Sequence, residues 1–392
     1  MQTLAGDRAA LGLLFGVFGF TQGSWAARVP WIAGALDLSP GALGLALLGP
    51  AVGGLLAMPL APLLVARWGT RGTAAAAVGP LGLALGALAW SPDLGTLAVA
   101  LTAFGLVGGV LDVAANAHGV AVEEARGRPV MSGLHGGWSL GALSGAATGG
   151  LVAQAGIGAP AHLAVAGVAS GLAGVALARR LHRTATPPAR GPVFALPSRG
   201  TLLLGLIAFG SMFAEAGVAD WSAVFLTTSR DAGPGLAAAG FAAFSVCMAA
   251  GRFVGDAVVH RSGPRRVLVG SAAVAAGGLA LAVAVPHPVA AVAGFAVAGC
   301  GTACLVPVVF SSAGRAEPDP HRRPHAMAAV VTTGYLGWLA APPTIGAVAQ
   351  LTTVGSGLAV AAGLTAAAAA LAFVTPVTRR SPVPRADPGV PH

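Results

Sequence analysis

Arg67-Trp68-Gly69-Thr70-Arg71 is followed, 194 positions on, by Arg261-Ser262-Gly263-Pro264-Arg265. Both read R-x-G-x-R, and both come directly after a long apolar run. A basic turn that recurs between apolar segments predicts a duplicated unit. A helix needs about 20 apolar residues to cross the hydrocarbon core of a bilayer. Twelve stretches meet that need: 9–34, 41–66, 72–92, 95–122, 129–155, 160–181, 201–228, 235–259, 266–286, 288–313, 325–350 and 355–376. The first is too long for a signal peptide, and eleven more follow it. The fold expected is an all-α membrane protein, with twelve transmembrane helices in two pseudo-symmetric six-helix bundles. The bundles are expected at 1–181 and 201–376. A Pro- and Arg-containing linker, 182–200, joins them, and a Pro-rich tail, 377–392, is expected to be disordered.

Composition agrees. Of the 392 residues 55% are hydrophobic and only 9% charged, and the mean hydropathy is +0.79. A soluble domain carries about 25% charged residues, so lipid is the solvent that tolerates this surface. All 22 basic residues are Arg. Without Lys there is no Walker A loop and no Schiff-base chemistry. The net charge of +9 suggests nucleic acid only until the arginines are placed. With a cytoplasmic N-terminus, 20 of the 22 fall on the cytoplasmic side, and only Arg28 and Arg230 do not. The opposite topology would reverse the positive-inside rule. The expected location is therefore a bacterial inner membrane, multi-pass, with both termini cytoplasmic and no nucleic-acid partner. Abundant Gly and absent Lys point to a GC-rich bacterial genome.

At these residues the chain resembles the major facilitator superfamily, whose signature loop follows helices two and eight. The C-terminal copy is the fuller: Gly251-Arg252, Gly255-Asp256, then Arg261, Gly263, Arg265 and Arg266. In the N-terminal copy, with Arg67, Gly69 and Arg71, Ala66 stands where the family's Asp is expected. The stretches 24–32 (SWAARVPWI), 111–123 (LDVAANAHGVAVE), 128–141 (RPVMSGLHGGWSLG), 219–226 (ADWSAVFL) and 334–346 (GYLGWLAAPPTIG) resemble a bacterial branch related to the fucose permeases. The resemblance implies an ion-coupled carrier working by alternating access, a small-molecule substrate, a monomer, and signature-loop residues that act as gates or latches.

Ionisable groups inside a bilayer are costly and mark functional sites. In the first span Thr21, Trp25 and Arg28 share a helical face, with Gln22 beside them. They could anchor a substrate, or Arg28 could snorkel to headgroups. In the fourth span Asp112 and Asn116 are i and i+4, with Gly119 and Glu123 continuing the stripe. Charge on Asp112 at that depth is costly and a proton removes the cost, so it is a proton-coupling candidate as well as a possible structural pair. In the fifth, Ser132, His135 and Ser139 share a face, and His135 could relay protons with Asp112 or act as polar glue. In the seventh, Glu215 is the leading coupling candidate and shares a face with Ser211 and Ser222. Asp220 is expected to meet Arg28 across the outer gate. In the eleventh, Thr332, Tyr335 and Trp338 precede Pro342-Pro343, which are expected to break the helix. Tyr335 and Trp338 are cavity candidates beside Gln22, Trp25, Arg28 and Asn116.

Several motifs carry less. Gly137-Trp138-Ser139-Leu140-Gly141 matches G-x-S-x-G beside His135, but a nucleophile elbow needs a strand and a turn. Gly141 to Gly150 resembles an exporter signature with Ala146 in place of its Pro, and the same spacing promotes close helix packing. His321-Arg322-Arg323-Pro324-His325 reads as a positive-inside loop. Cys247, Cys300 and Cys304 form no C-x-x-C, although Cys300 and Cys304 lie one turn apart. No resident cofactor or metal and no enzymatic activity are expected. The function expected is proton-coupled transport of a sugar-like or other polar metabolite. Drug or metabolite efflux is the alternative within transport, and a membrane sensor or intramembrane enzyme the alternative outside it.

Overall fold

The computed structural model describes residues 7–126, 130–183, 198–316 and 323–375. They form α1 (Arg8–Ala26), α2 (Val29–Ala35), α3 (Pro40–Leu47), α4 (Gly49–Leu88), α5 (Leu94–Arg126), α6 (Met131–Gln154) and α7 (Ala159–Arg180). The second half has α8 (Arg199–Arg230), α9 (Pro234–Ser262), α10 (Pro264–Ala284), α11 (Pro288–Thr302), α12 (Leu305–Ala316), α13 (Arg323–Leu351) and α14 (Val354–Val374). Nine segments of the described residues are long and apolar enough to cross a membrane. One of them, Pro40–Leu88, reverses at Gly69 and therefore counts twice. With α6 and α13 the spans number twelve. Residues 184–197 of the expected linker, the tail 377–392 and the loop residues His321 and Arg322 lie outside the described residues.

The reversals are where the repeat predicts them. Gly69 has φ 71° and ψ 170°, and Gly263 has φ 81° and ψ 154°. L residues rarely adopt this backbone, and glycine does so freely. The two R-x-G-x-R segments are thus one turn made twice.

Helix pairing repeats as well. In the first half α1 packs on α6, the front part of α4 on α5, and its rear part on α7. In the second, α8 packs on α13, α9 on α11, and α10 on α14. Each first-half pair has its counterpart six spans later. Between the halves, α6 meets α9 and α3 meets α13, which is again one contact exchanged by the pseudo-twofold.

Glycines set these distances. A Cβ on Gly19 would lie 1.9 Å from the Trp138 carbonyl, one on Gly23 1.9 Å from that of Ala142, and one on Gly141 1.9 Å from that of Gly16. The α1–α6 seam is therefore backbone against backbone. The Gly141–Gly150 run that resembles an exporter signature serves this seam. Without a hydrophobic drive between helices in lipid, such close approach supplies the dispersion energy that holds them.

Three spans are less continuous than expected. The first breaks at Ala27–Arg28, the second at Leu48 and the tenth at Ala303–Cys304. The eleventh is more continuous: Pro342 and Pro343 lie inside α13, which runs unbroken to Leu351. The expected break does not occur. Here α13 packs on α3, with the Pro342 carbonyl 2.6 Å from where a Gly44 Cβ would sit. Packed neighbours inside a membrane tolerate prolines that would break an isolated helix.

Candidate functional site

The helix ends sort the molecule into two faces. One carries Arg8, both R-x-G-x-R turns, Arg126 and the Arg179-Arg180 pair, and is called here the arginine-rich end. The other carries the α2–α3 and α8–α9 connections.

Between the ends, three polar groups from three helices converge. Asp112 of α5, Glu215 of α8 and Tyr335 of α13 are half-buried, and Tyr335 lies within electrostatic reach of both carboxyls. Asp112 comes from the first half and the other two from the second, so the cluster spans the interface. Asn116 Nδ2 donates to Asp112 Oδ1 and to the Asp112 carbonyl oxygen, both at 2.9 Å. That bond orients the Asp112 carboxyl and leaves its second oxygen open. Gln22 is half-buried and makes no hydrogen bond among the described residues; Trp338 packs against the core.

Other expected site residues are placed elsewhere. Trp25 and Arg28 are buried, 4% and 2% exposed. Arg28 Nε donates to His162 Nδ1 at 3.1 Å, and Nη2 to the Ile157 carbonyl at 3.0 Å. The expected Arg28–Asp220 ion pair is absent: Arg28 is held within its own half, and Asp220 makes no ion pair or hydrogen bond among the described residues. The break in the first span at Ala27–Arg28 accounts for this, because it departs from the continuous helix on which the pairing was drawn. His135 forms no bond to Asp112 or Asn116, which are bonded to each other. Its ring instead meets Phe15 edge-on, centroids 5.3 Å apart, and faces Arg252 electrostatically. Ser139 Oγ donates to the His135 carbonyl at 3.2 Å, so the G-x-S-x-G serine is not paired with the histidine ring.

The signature loops divide in the same way. Arg67 is exposed and Arg71 half-buried, while Arg261 and Arg265 are exposed. Arg265 donates to the Phe373 carbonyl and lies 5.0 Å over the Phe373 ring, tying α10 to the end of α14. The Asp256 side chain lies outside the described residues. In the first half, where the loop has Ala66, the buried Thr70 hydroxyl meets His118 Nδ1 at 2.8 Å. His118 Nε2 meets Asp7 Oδ2 at 2.9 Å. Asp7 also accepts from the His182 backbone N–H at 2.7 Å and faces His182 Nδ1 at 2.6 Å. One carboxylate, 3% exposed, thus joins the chain before α1, the turn in α4, helix α5 and the end of α7. Burial alone would raise the Asp7 pKa; hydrogen bonds from His182 and His118 outweigh it and hold it below the ordinary carboxylate value. Nearby, Glu123 Oε2 accepts from Val130 N and Met131 N at 2.7 and 3.2 Å, capping α6.

Sequence reasoning missed Asp7, His118, His182 and His162. His118 carried a usable signal, as a histidine inside an apolar span, and Asp7 is the sole acid before the first span. Among the described residues no cluster of His, Cys, Asp or Glu is arranged to hold a metal ion. The Cys300 thiol lies within reach of Cys247, and the Cys304 thiol faces the Gly251 carbonyl at 3.8 Å.

Twelve spans in two like halves, with carboxyls from both halves meeting between them, define a polytopic membrane carrier. Comparisons with known proteins narrow the class. Residues 204–391 match the Major Facilitator Superfamily profile. An uncharacterized MFS-type transporter of Yersinia pestis is 37% identical over 344 residues, 87% of this chain and 88% of that one. The membrane protein MosC of Rhizobium meliloti is 29% identical over 355 residues, 89% of this chain and 85% of that one. The fold matches that of a bacterial homolog of the human lysosomal transporter Spinster, with TM-score 0.76, 14% identity and coverage of 96% and 98%. It also matches the nucleoside transporter NupG, with TM-score 0.75, 14% identity and coverage of 94% and 98%. The chain belongs to the major facilitator superfamily. It is a membrane transporter and not an enzyme.

Proposed function

We propose that this transporter couples movement of a small polar molecule to H⁺, with Glu215 and Asp112 carrying the proton and Tyr335 between them. The observation that carries the reading is the meeting of carboxyls from opposite halves on one tyrosine. A negative charge on either carboxyl is costly in a low-dielectric interior, and a proton removes that cost. Because Asp112 belongs to one half and Glu215 to the other, movement of the halves changes the surroundings of both carboxyls and ties protonation to the motion that exposes the site alternately to each side. Asn116 and Gln22 supply neutral hydrogen-bonding groups suited to hydroxyls or amides of a polar substrate.

The positive-inside rule assigns the arginine-rich end to the cytoplasm. The halves are packed tightly at the opposite end, so this conformation is inward-facing.

The test is proton flux in proteoliposomes holding the purified protein. Sugars, sugar acids, nucleosides and amphipathic drugs are added in turn to wild type, Glu215→Gln and Asp112→Asn. One compound should drive proton movement in wild type, and Glu215→Gln should abolish it while leaving tracer exchange of that compound. Exchange without proton movement in wild type would remove H⁺ coupling and favour Na⁺ coupling or facilitated transport. An amphipathic drug as the compound moved would favour efflux over uptake of a polar metabolite.

A further inference from the structure

A cavity lies between the halves, on the arginine-rich side, and its chemistry is opposite to that of the midplane cluster. Its volume is about 380 Å³, within the ordinary range for small-molecule sites. One wall is α6, with Met131, His135 and Ser139; the others are α9 and α11–α12. Asp112, Glu215 and Tyr335 take no part in it, and no carboxylate lines it among the described residues.

The polar side of the cavity is Arg252. Among the described residues its guanidinium makes no hydrogen bond or ion pair. His135 reaches toward it from the other half. The rest of the lining is apolar, with Phe253, Pro307 and Phe310 the largest surfaces. A half-buried guanidinium without a partner is costly in an apolar setting, and an incoming anion removes that cost through charge-assisted bonds, bidentate where the anion is planar. An apolar body attached to the anion fills the remaining wall. A sugar would leave that wall unsatisfied, and a cation would face Arg252.

We propose that this cavity binds an amphipathic anion, an oxyanion headgroup on an apolar body, with Arg252 as its anchor. The shared chemistry has two sources: a free aromatic or aliphatic carboxylate, or the phosphate of an anionic lipid entering between α6 and α9. The site goes beyond the proton-coupling reading and does not depend on it.

The experiment is equilibrium binding of 2-naphthoate to the full chain in lipid-free detergent micelles by titration calorimetry, with uncharged 2-naphthamide as the control. Naphthoate should bind and naphthamide should not. Arg252→Gln should weaken naphthoate by about ten- to hundredfold, the worth of a charge-assisted bond, and Arg252→Lys, which keeps the charge but not the bidentate fork, should recover only part of it. Ala249→Asp, which adds a carboxylate to the cavity wall itself three residues before Arg252, should weaken it similarly with the arginine intact, so the test stands even if Arg252→Gln does not fold. Repeating the titration in nanodiscs separates the sources. Competition by anionic lipid, absent with zwitterionic lipid, assigns the site to a headgroup; no competition assigns it to a free carboxylate. Equal binding of naphthamide, or naphthoate binding unchanged in both Arg252→Gln and Ala249→Asp, would overturn the proposal. Because no flux is read, failure here leaves proton coupling standing, and failure of coupling leaves this site standing.

Discussion

At the end opposite the arginines, Gly44 of α3 and Gly346 of α13 bring the two halves together backbone to backbone. A Cβ on Gly44 would lie 2.6 Å from the Pro342 carbonyl, and one on Gly346 2.7 Å from that of Pro40. The Gly41 N–H donates to Gln350 Oε1 at 3.2 Å across the same seam. On the other side of the molecule a Cβ on Gly150 would meet Ala238 at 2.8 Å and the Gly235 Cα at 3.5 Å. At the arginine-rich end of the same interface, α6 and α9 instead hold side chains apart around a cavity of about 380 Å³. One end is closed by the absence of side chains, the other held open by their presence. Backbone contact has little tolerance, so the glycine end acts as a latch with two states, closed or parted, whereas the arginine-rich end can adjust by side-chain rotation.

The strongest way to break this comparison is to weld the glycine end. A Cβ at Gly41 would lie 3.6 Å from the Gln350 Cβ, within the span a disulfide bridges. The double variant Gly41→Cys/Gln350→Cys should oxidise to one cross-link and lose all transport, with recovery on reduction. Cross-linked protein that still transports would mean that this end need not open.

A wedge should act less completely. Gly346→Leu forces a side chain against the Pro40 carbonyl and should destabilise the closed state by about 1–3 kcal/mol, shifting the ratio of the two states by a factor of about 5 to 150. Alkylation of a cysteine placed at Gly41 should quicken accordingly. An unchanged rate would show that the seam yields without parting.

At the arginine-rich end, Asp7→Asn should cost about 1–3 kcal/mol by leaving buried His118 and the Thr70 turn poorly paired. Its pH dependence has a definite sign. The folded pKa of Asp7 lies below the unfolded one, so its stabilisation is full above about pH 4 and fades as pH falls through the folded value. Melting curves should therefore fall more steeply with acid in wild type than in Asp7→Asn. Parallel acid limbs would remove Asp7 from the network's energetics. The smallest effect is expected for Gln350→Ala, which loses one exposed hydrogen bond worth about 0.5–1 kcal/mol and should slightly raise the same alkylation rate. A drop in the rate would contradict the latch.

Much of the molecule was legible in the residues. The R-x-G-x-R repeat foretold the duplicated halves, and both copies prove to turn on a glycine with positive φ. The cost of charge in lipid singled out Asp112 and Glu215 as coupling candidates, and both lie within electrostatic reach of Tyr335. Pairings between spans were less legible. His135 was assigned to Asp112 because both face inward on adjacent spans, but Asn116 already occupies Asp112, and His135 turns to Arg252. Arg28 was assigned to Asp220 on a continuous first helix, and the break at Ala27–Arg28 sends its guanidinium to His162 instead. Helical periodicity gives a face and a depth and is blind to a local break.

The sequence by itself determined the solvent, the number of spans and the repeat. These follow from hydropathy, length and the cost of charge in lipid, which act on each segment alone. Tertiary structure decided which charged groups meet, which end of the interface is closed, and that Asp7 joins four separate segments through two histidines and a threonine. Those outcomes depend on how closely helices approach, and that distance is set by which glycine faces which backbone, a relation between segments that no single segment contains.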